Sequence, residues 1–113
     1  MKVVVPVYPT EDFDKLIEAV LSIAPDAELD EKGDKLIAQF SDGSRLLKKI
    51  MDKRVATTAL NWIERRGYLM LNKQALVRGK LNILYVEQPL GNVKVYVDSK
   101  FMSLLSAATT SSP

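Results

Sequence analysis

The spacing of apolar positions changes several times along this chain, and each change marks an element. Residues 2–8 are dominated by valine and read as a strand. Pro6 within it has no N–H for a ladder, which predicts an edge position, and Pro9 ends the run. Thr10 then offers an N-cap, with Glu11 and Asp12 in the first turn, where the helix dipole favours acids. Phe13, Leu16, Ile17, Val20, Leu21 and Ala24 recur at helical spacing until Pro25. Residues 27–29 suggest a short strand. Glu31-Lys32-Gly33-Asp34 suggests a turn, and 35–40 a strand with Leu36, Ala38 and Phe40 on one face.

Residues 44–66 carry two apolar stripes. Leu46, Leu47, Ile50 and Met51 form the first; Val55, Ala56, Ala59, Leu60, Trp62 and Ile63 form the second. At about 100° per residue the stripes point in nearly opposite directions. One straight helix cannot bury both against one sheet, so a break is predicted near Asp52-Lys53-Arg54, with Trp62 in the core. Gly67 is the expected C-cap after Arg65 and Arg66. Downstream, 68–72, 81–86 and 92–98 read as strands, the last with Val93, Val95 and Val97 inward and Lys94 and Tyr96 outward. Residues 73–80 and Gln88-Pro89-Leu90-Gly91 read as turns. The order β-α-β-β-α-α-β-β-β predicts an α+β fold, a largely antiparallel sheet with helices packed on one face. One domain is expected over 1–98. Residues 101–105 have the pattern of one helical turn, but the extension 99–113, small and polar from Ser106, is expected to be mostly disordered.

Composition narrows the function classes. The 113 residues contain neither cysteine nor histidine. That excludes disulfides, thiolate metal sites and a cysteine nucleophile, and removes the commonest general base and nitrogen ligand. No nucleophile–base pair assembles by spacing, so no enzyme, metal or cofactor is expected. No apolar run approaches the roughly 20 residues of a membrane-spanning helix. The opening MKVVVPVYPTED lacks a signal-like cleavage site. A cytoplasmic protein without a membrane partner is therefore expected.

Charge is unevenly distributed. Residues 1–42 hold ten acids and four bases, a net of −6; residues 43–113 hold twelve bases and four acids, a net of +8. Such a split points to a polyanionic partner or to halves that neutralise each other. On the first middle helix Arg45, Lys48, Lys49 and Lys53 lie opposite the apolar stripe, with Arg54 adjoining. Cations at this density suit RNA phosphates, although a solvated helix face has the same pattern. Lys73, Arg78 and Lys80 with Gln74, flanked by Asn72 and Asn82, form a second candidate. Gly79 there permits close backbone approach, and amides and cations can meet phosphates and unpaired bases. A polar connection protecting a sheet edge is the plainer reading. Of Tyr8, Tyr68, Tyr85 and Tyr96, Tyr96 beside Lys94 is best placed to stack a base, with sheet packing as the alternative. The acids around 11–18 and 28–34 lack calcium-loop spacing and read as a capped helix and a solvated turn.

Two stretches carry a family resemblance. They are Val7-Tyr8-Pro9-Thr10-Glu11-Asp12, and Leu71-Asn72-Lys73-Gln74-Ala75-Leu76-Val77-Arg78-Gly79-Lys80-Leu81-Asn82 followed by Pro89-Leu90-Gly91. Together they resemble a small archaeal family, uncharacterised protein family 0201 (domain of unknown function 54), over about residues 3–98. The resemblance implies the fold of the ribosomal protein that holds 5S RNA, and RNA binding, and transfers no catalytic residue. Family members carry an arginine after Thr-Ala; here Thr58-Ala59 is followed by Leu60, so that contact is not carried over. The expected function is a non-catalytic RNA-binding or ribonucleoprotein-associated module with little base preference. The alternative is a protein–protein or homodimerising module, in which acidic and basic halves dock or the Pro6 strand is extended by another chain.

Overall fold

The computed structural model describes residues 1–86 and 91–110. In chain order the elements are β1 (Lys2–Pro6), α1 (Phe13–Ile23), β2 (Glu28–Lys32), β3 (Lys35–Gln39), α2 (Ser44–Asp52), α3 (Ala56–Arg66), β4 (Leu69–Asn72), α4 (Lys73–Val77), β5 (Asn92–Tyr96) and α5 (Ser99–Thr110). The strands form one antiparallel sheet in the order β2-β3-β1-β5-β4. The α+β reading holds.

Several local expectations hold as well. The helical stretch breaks where the two stripes diverge, at Lys53–Val55, and Arg54 adopts a left-handed φ of 60°. Gly67 caps α3 at φ 84°, and its N–H donates to the Ile63 carbonyl at 2.7 Å. Helix α1, however, is capped by Asp12 rather than Thr10. The Asp12 carboxylate accepts the N–H groups of Asp14 (3.1 Å) and Lys15 (3.4 Å). Residues 8–11 are occupied in a turn instead, the Glu11 N–H donating to the Tyr8 carbonyl.

Strand β1 is central, which corrects the edge position expected from Pro6. β5 pairs with Lys2, Val3 and Val4, and Pro6 lies beyond that stretch at the strand's end. The missing N–H therefore interrupts no ladder on the β5 side. On the other side the ladder continues through the Val7 N–H, 2.7 Å from the Asp34 carbonyl.

One sheet face builds the core. Val3, Val5, Leu36, Ala38, Leu69, Leu71, Val93 and Val95 bury against Leu16, Val20 and Ile23 of α1, Leu46 and Ile50 of α2, and Ala59 and Ile63 of α3. Phe101 and Leu105, one helical turn apart on α5, complete it. The expected disordered extension is thus a helix over 99–110. The Asp98 carboxylate accepts the Phe101 N–H at 2.8 Å, and Gly43 makes room for the ring, since a Cβ there would lie 2.7 Å from Phe101 Cδ2. Residues 111–113 lie outside the described residues, as does the turn expected at Gln88-Pro89-Leu90.

Two further corrections concern the second half. Residues 73–77 are helix α4 rather than a turn, because the Asn72 side chain caps them by accepting the Ala75 N–H, and Ala75 and Leu76 are buried. Residues 81–86 make no regular strand. They cover the edge of β4 through a Leu71–Ile83 bridge and two hydrogen bonds, Asn72 N–H to the Asn82 carbonyl and Leu84 N–H to the Met70 carbonyl. Among the described residues no helix is long and apolar enough to cross a membrane.

Candidate nucleic-acid interface

Side chains alternate across a strand, so the residues between the core positions line the other face of the sheet. In register there stand Gln39 and Ile37 of β3, Lys2 and Val4 of β1, Tyr96 and Lys94 of β5, and Met70 of β4. Lys2, Gln39 and Tyr96 are exposed and Val4, Ile37 and Lys94 half-buried.

An aromatic and cationic band runs over this face. The rings of Tyr68 and Tyr96 lie 5.5 Å apart, tilted by 47°. Lys2 Nζ sits 5.2 Å from the Tyr96 ring centre, and Lys94 Nζ 5.3 Å from that of Tyr68. Tyr96 is 37% exposed. At the β4 edge Trp62 and Tyr85 form a second tilted pair, 5.3 Å apart, with the Arg66 guanidinium 4.5 Å from the Trp62 ring. Trp62 is half-buried here, not in the core, because its ring packs on Tyr85 and against Arg66 at the β4 edge. An exposed cation–ring contact such as that of Lys2 contributes about 0.5–1 kcal/mol, weak enough for a ligand to displace that lysine.

The charge split is laid out across the sheet. β2, β3 and β1 come from the acidic half and β5 and β4 from the basic half, so the strand order keeps the halves side by side. Glu28 and Asp30, opposite Gln39 and Ile37, share the β2 side of the open face with Lys32, 3.8 Å from Asp30 and opposite Lys35, so that side carries no net charge. Lys2, Lys94, Arg65 and Arg66 are gathered by the rings on the other side.

The residues singled out in the sequence fall in three places. Arg45, Lys48, Lys53 and Arg54 are exposed and Lys49 half-buried on and after α2, in the helical layer. Gln74, Arg78 and Lys80 are exposed on and after α4; Gln74 and Arg78 line a cleft of about 340 Å³ shared with Glu11, Asp12 and Lys15. Asn72 is spent as a cap, and the exposed Asn82 gives its carbonyl to Asn72. Tyr96 alone of them stands on the open sheet face. No single surface unites the set.

Lys73 requires a correction. Its side chain is 4% exposed, and Nζ is 2.8 Å from both Glu11 Oε1 and the Pro6 carbonyl, over the Tyr8 ring at 4.6 Å. A lysine so enclosed meets no phosphate; it bolts α4 to the end of β1 and the start of α1. The two stretches that carry the family resemblance therefore touch through this contact. Gly91 belongs to the same cluster: at φ +90° it passes Pro6 so closely that a Cβ would lie 2.7 Å from Pro6 Cγ. The resemblance marks a joint of the scaffold.

Sequence reasoning missed Lys2, Tyr68, Trp62, Tyr85, Arg65 and Arg66 as a group. Period-two alternation places Lys2 outward, but the meeting of Lys2, Tyr96 and Tyr68 needs the β1-β5-β4 order, which no local pattern contains. Among the described residues no cluster of acidic side chains is arranged to hold a metal ion.

No family model matches the chain. A UPF0201 protein of Methanothermobacter thermautotrophicus is 32% identical over 107 residues, spanning 88% of this chain and 81% of that protein. One from Thermococcus kodakarensis is also 32% identical over 107 residues, spanning 83% and 76%. The crystal structure of a UPF0201 protein from Methanococcus jannaschii has a TM-score of 0.75 at 24% identity, covering 100% of this chain and 96% of that one. A further UPF0201 crystal structure has a TM-score of 0.74 at 22% identity, covering 93% and 90%. At these identities the crystal structures share the fold.

Proposed function

The chain belongs to the UPF0201 family, and on that premise we propose that it is a non-catalytic RNA-binding module whose contact surface is the open face of its sheet. The observation that carries this reading is the Tyr68–Tyr96 ring pair with Lys2 and Lys94 over it. Bases stack on such rings for about 1–3 kcal/mol each, with little dependence on identity. The adjacent ammonium groups meet phosphates and release counterions. Arg45, Lys48, Lys53 and Arg54 on the helical layer, with Arg78 and Lys80, add a positive field that raises the local RNA concentration without contacting stacked bases.

The alternative of strand addition at Pro6 loses its basis, because β1 has neighbours on both sides. The test is anisotropy of a labelled single-stranded RNA at about 50 mM salt, with log affinity falling by about 0.7 per phosphate contact for each decade of salt. Micromolar binding that the Tyr96→Ala variant weakens roughly tenfold is expected. No binding, or binding indifferent to Tyr96, overturns the proposal.

A further inference from the structure

We infer that the RNA is unpaired and leaves the sheet over the β4 edge, onto a second stacking platform made of Trp62, Tyr85, Arg65 and Arg66. This rests on the reading of the Tyr68–Tyr96 face above and adds the ligand's class and path.

The geometry points that way from three sides. Tyr68 and Met70 lie on the same face of the chain, two residues or about 7 Å apart. Met70 itself is buried, 2% exposed, and Arg66 covers its sulfur, so the surface link from Tyr68 to the second ring pair is the Arg66 side chain. Arg66 donates one guanidinium N–H toward Met70 Sδ at 3.8 Å and another to the Tyr85 carbonyl, and its guanidinium carbon lies 4.5 Å from the Trp62 ring centre. Arg65 reaches the same ring at 5.7 Å. Arg66 thus locks the Trp62–Tyr85 pair beside the open face. The Tyr85 carbonyl that Arg66 bonds is neutral, so the positive charge is not cancelled by that contact.

Of the two rings, Tyr85 is open, 53% exposed, while Trp62 is half-buried; Tyr85 sits on a segment that joins β4 by one bridge and two hydrogen bonds. A strand of phosphates continuing the other way, across β1 and β3, meets Glu28 and Asp30 beside Lys32 and Lys35, whose charges cancel, so that side offers it no net attraction. The polyanion is steered from Tyr96 through Tyr68 toward Arg66.

Two separate ring pairs also select against a duplex. A-form RNA stacks its bases inside, and its exposed groove offers 2′-hydroxyls and phosphates, not ring faces. Successive unpaired bases can be splayed onto each pair in turn.

Trp62 is the single tryptophan, so intrinsic fluorescence reports on the second platform by itself. The experiment titrates the full chain with an RNA of roughly two nucleotides, one of roughly eight, and a blunt duplex of the longer sequence. The longer strand should quench Trp62 and bind roughly tenfold more tightly than the short one, which should bind without quenching. The duplex should leave Trp62 unchanged. Tyr85→Ala and Arg65→Ala should bring the long strand toward the short strand's affinity and leave the short strand unaffected. If the long strand binds, depends on Tyr96 and leaves Trp62 emission and Tyr85→Ala unmoved, the second platform is wrong and the RNA-binding reading stands. If Tyr96→Ala has no effect on either strand, both fail.

Discussion

The same local motif, a lysine ammonium over a tyrosine ring, occurs at two places in this molecule with opposite consequences. Lys73 over Tyr8 is enclosed, ion-paired to Glu11 and bonded to the Pro6 carbonyl. Lys2 over Tyr96 stands on an open face, exposed to solvent. Distances to the ring are similar, 4.6 and 5.2 Å. What differs is how many other groups each ammonium satisfies and how little water reaches it. The first is part of the scaffold; the second is free to exchange its ring contact for a ligand.

Removing Lys73 should therefore produce the largest effect. Lys73→Ala leaves a half-buried carboxylate and a carbonyl without their partner, and should lower unfolding stability by about 3 kcal/mol in urea titrations. Lys2→Ala should change it by less than about 0.5 kcal/mol. Equal losses from the two variants would erase the contrast.

Gly91→Ala attacks the same joint through the backbone. Its Cβ collides with Pro6 Cγ at 2.7 Å in a left-handed conformation, so a loss of about 2 kcal/mol is expected in the same titration. Gly67→Ala, with φ +84° and nothing within 4 Å of its Cβ, separates strain from collision and should lose about 1 kcal/mol.

On the open face the effects should appear in binding instead. Tyr96→Ala should weaken RNA affinity by about 1.4 kcal/mol in anisotropy titrations while the urea midpoint barely moves. A smaller change in binding is expected from the double substitution Glu28→Lys and Asp30→Lys, which should strengthen RNA binding by about 0.5 kcal/mol at low salt, an effect that salt removes. A persistent gain at high salt would mean direct contact at the β2 edge.

The particular residues show how far the pattern of the chain could be read. The α2–α3 break was legible because the stripes led by Leu46 and Val55 cannot face one sheet from one straight helix. Gly67 was legible because a helix end needs a residue tolerant of positive φ. The position of β1 was misread from Pro6, whose constraint applies only where a neighbouring strand requires its N–H. Helix α5 was misread because Ser106 onward is small and polar, while its burial depends on two residues, Phe101 and Leu105, finding space beside Gly43. Lys73 was read as a surface cation because its partner, Glu11, is 62 positions away.

By itself the sequence determined the element types outside residues 73–86 and 99–110, the α+β class, the charge split and the absence of thiol and imidazole chemistry. These follow from local periodicity and composition, which act over a few residues. Strand order, the enclosure of Lys73 and the joining of Lys2, Tyr96, Tyr68, Arg66 and Trp62 into one band were decided by the tertiary structure. Each depends on register between distant segments, and register is set when whole faces bury together, not by the residues on either strand alone.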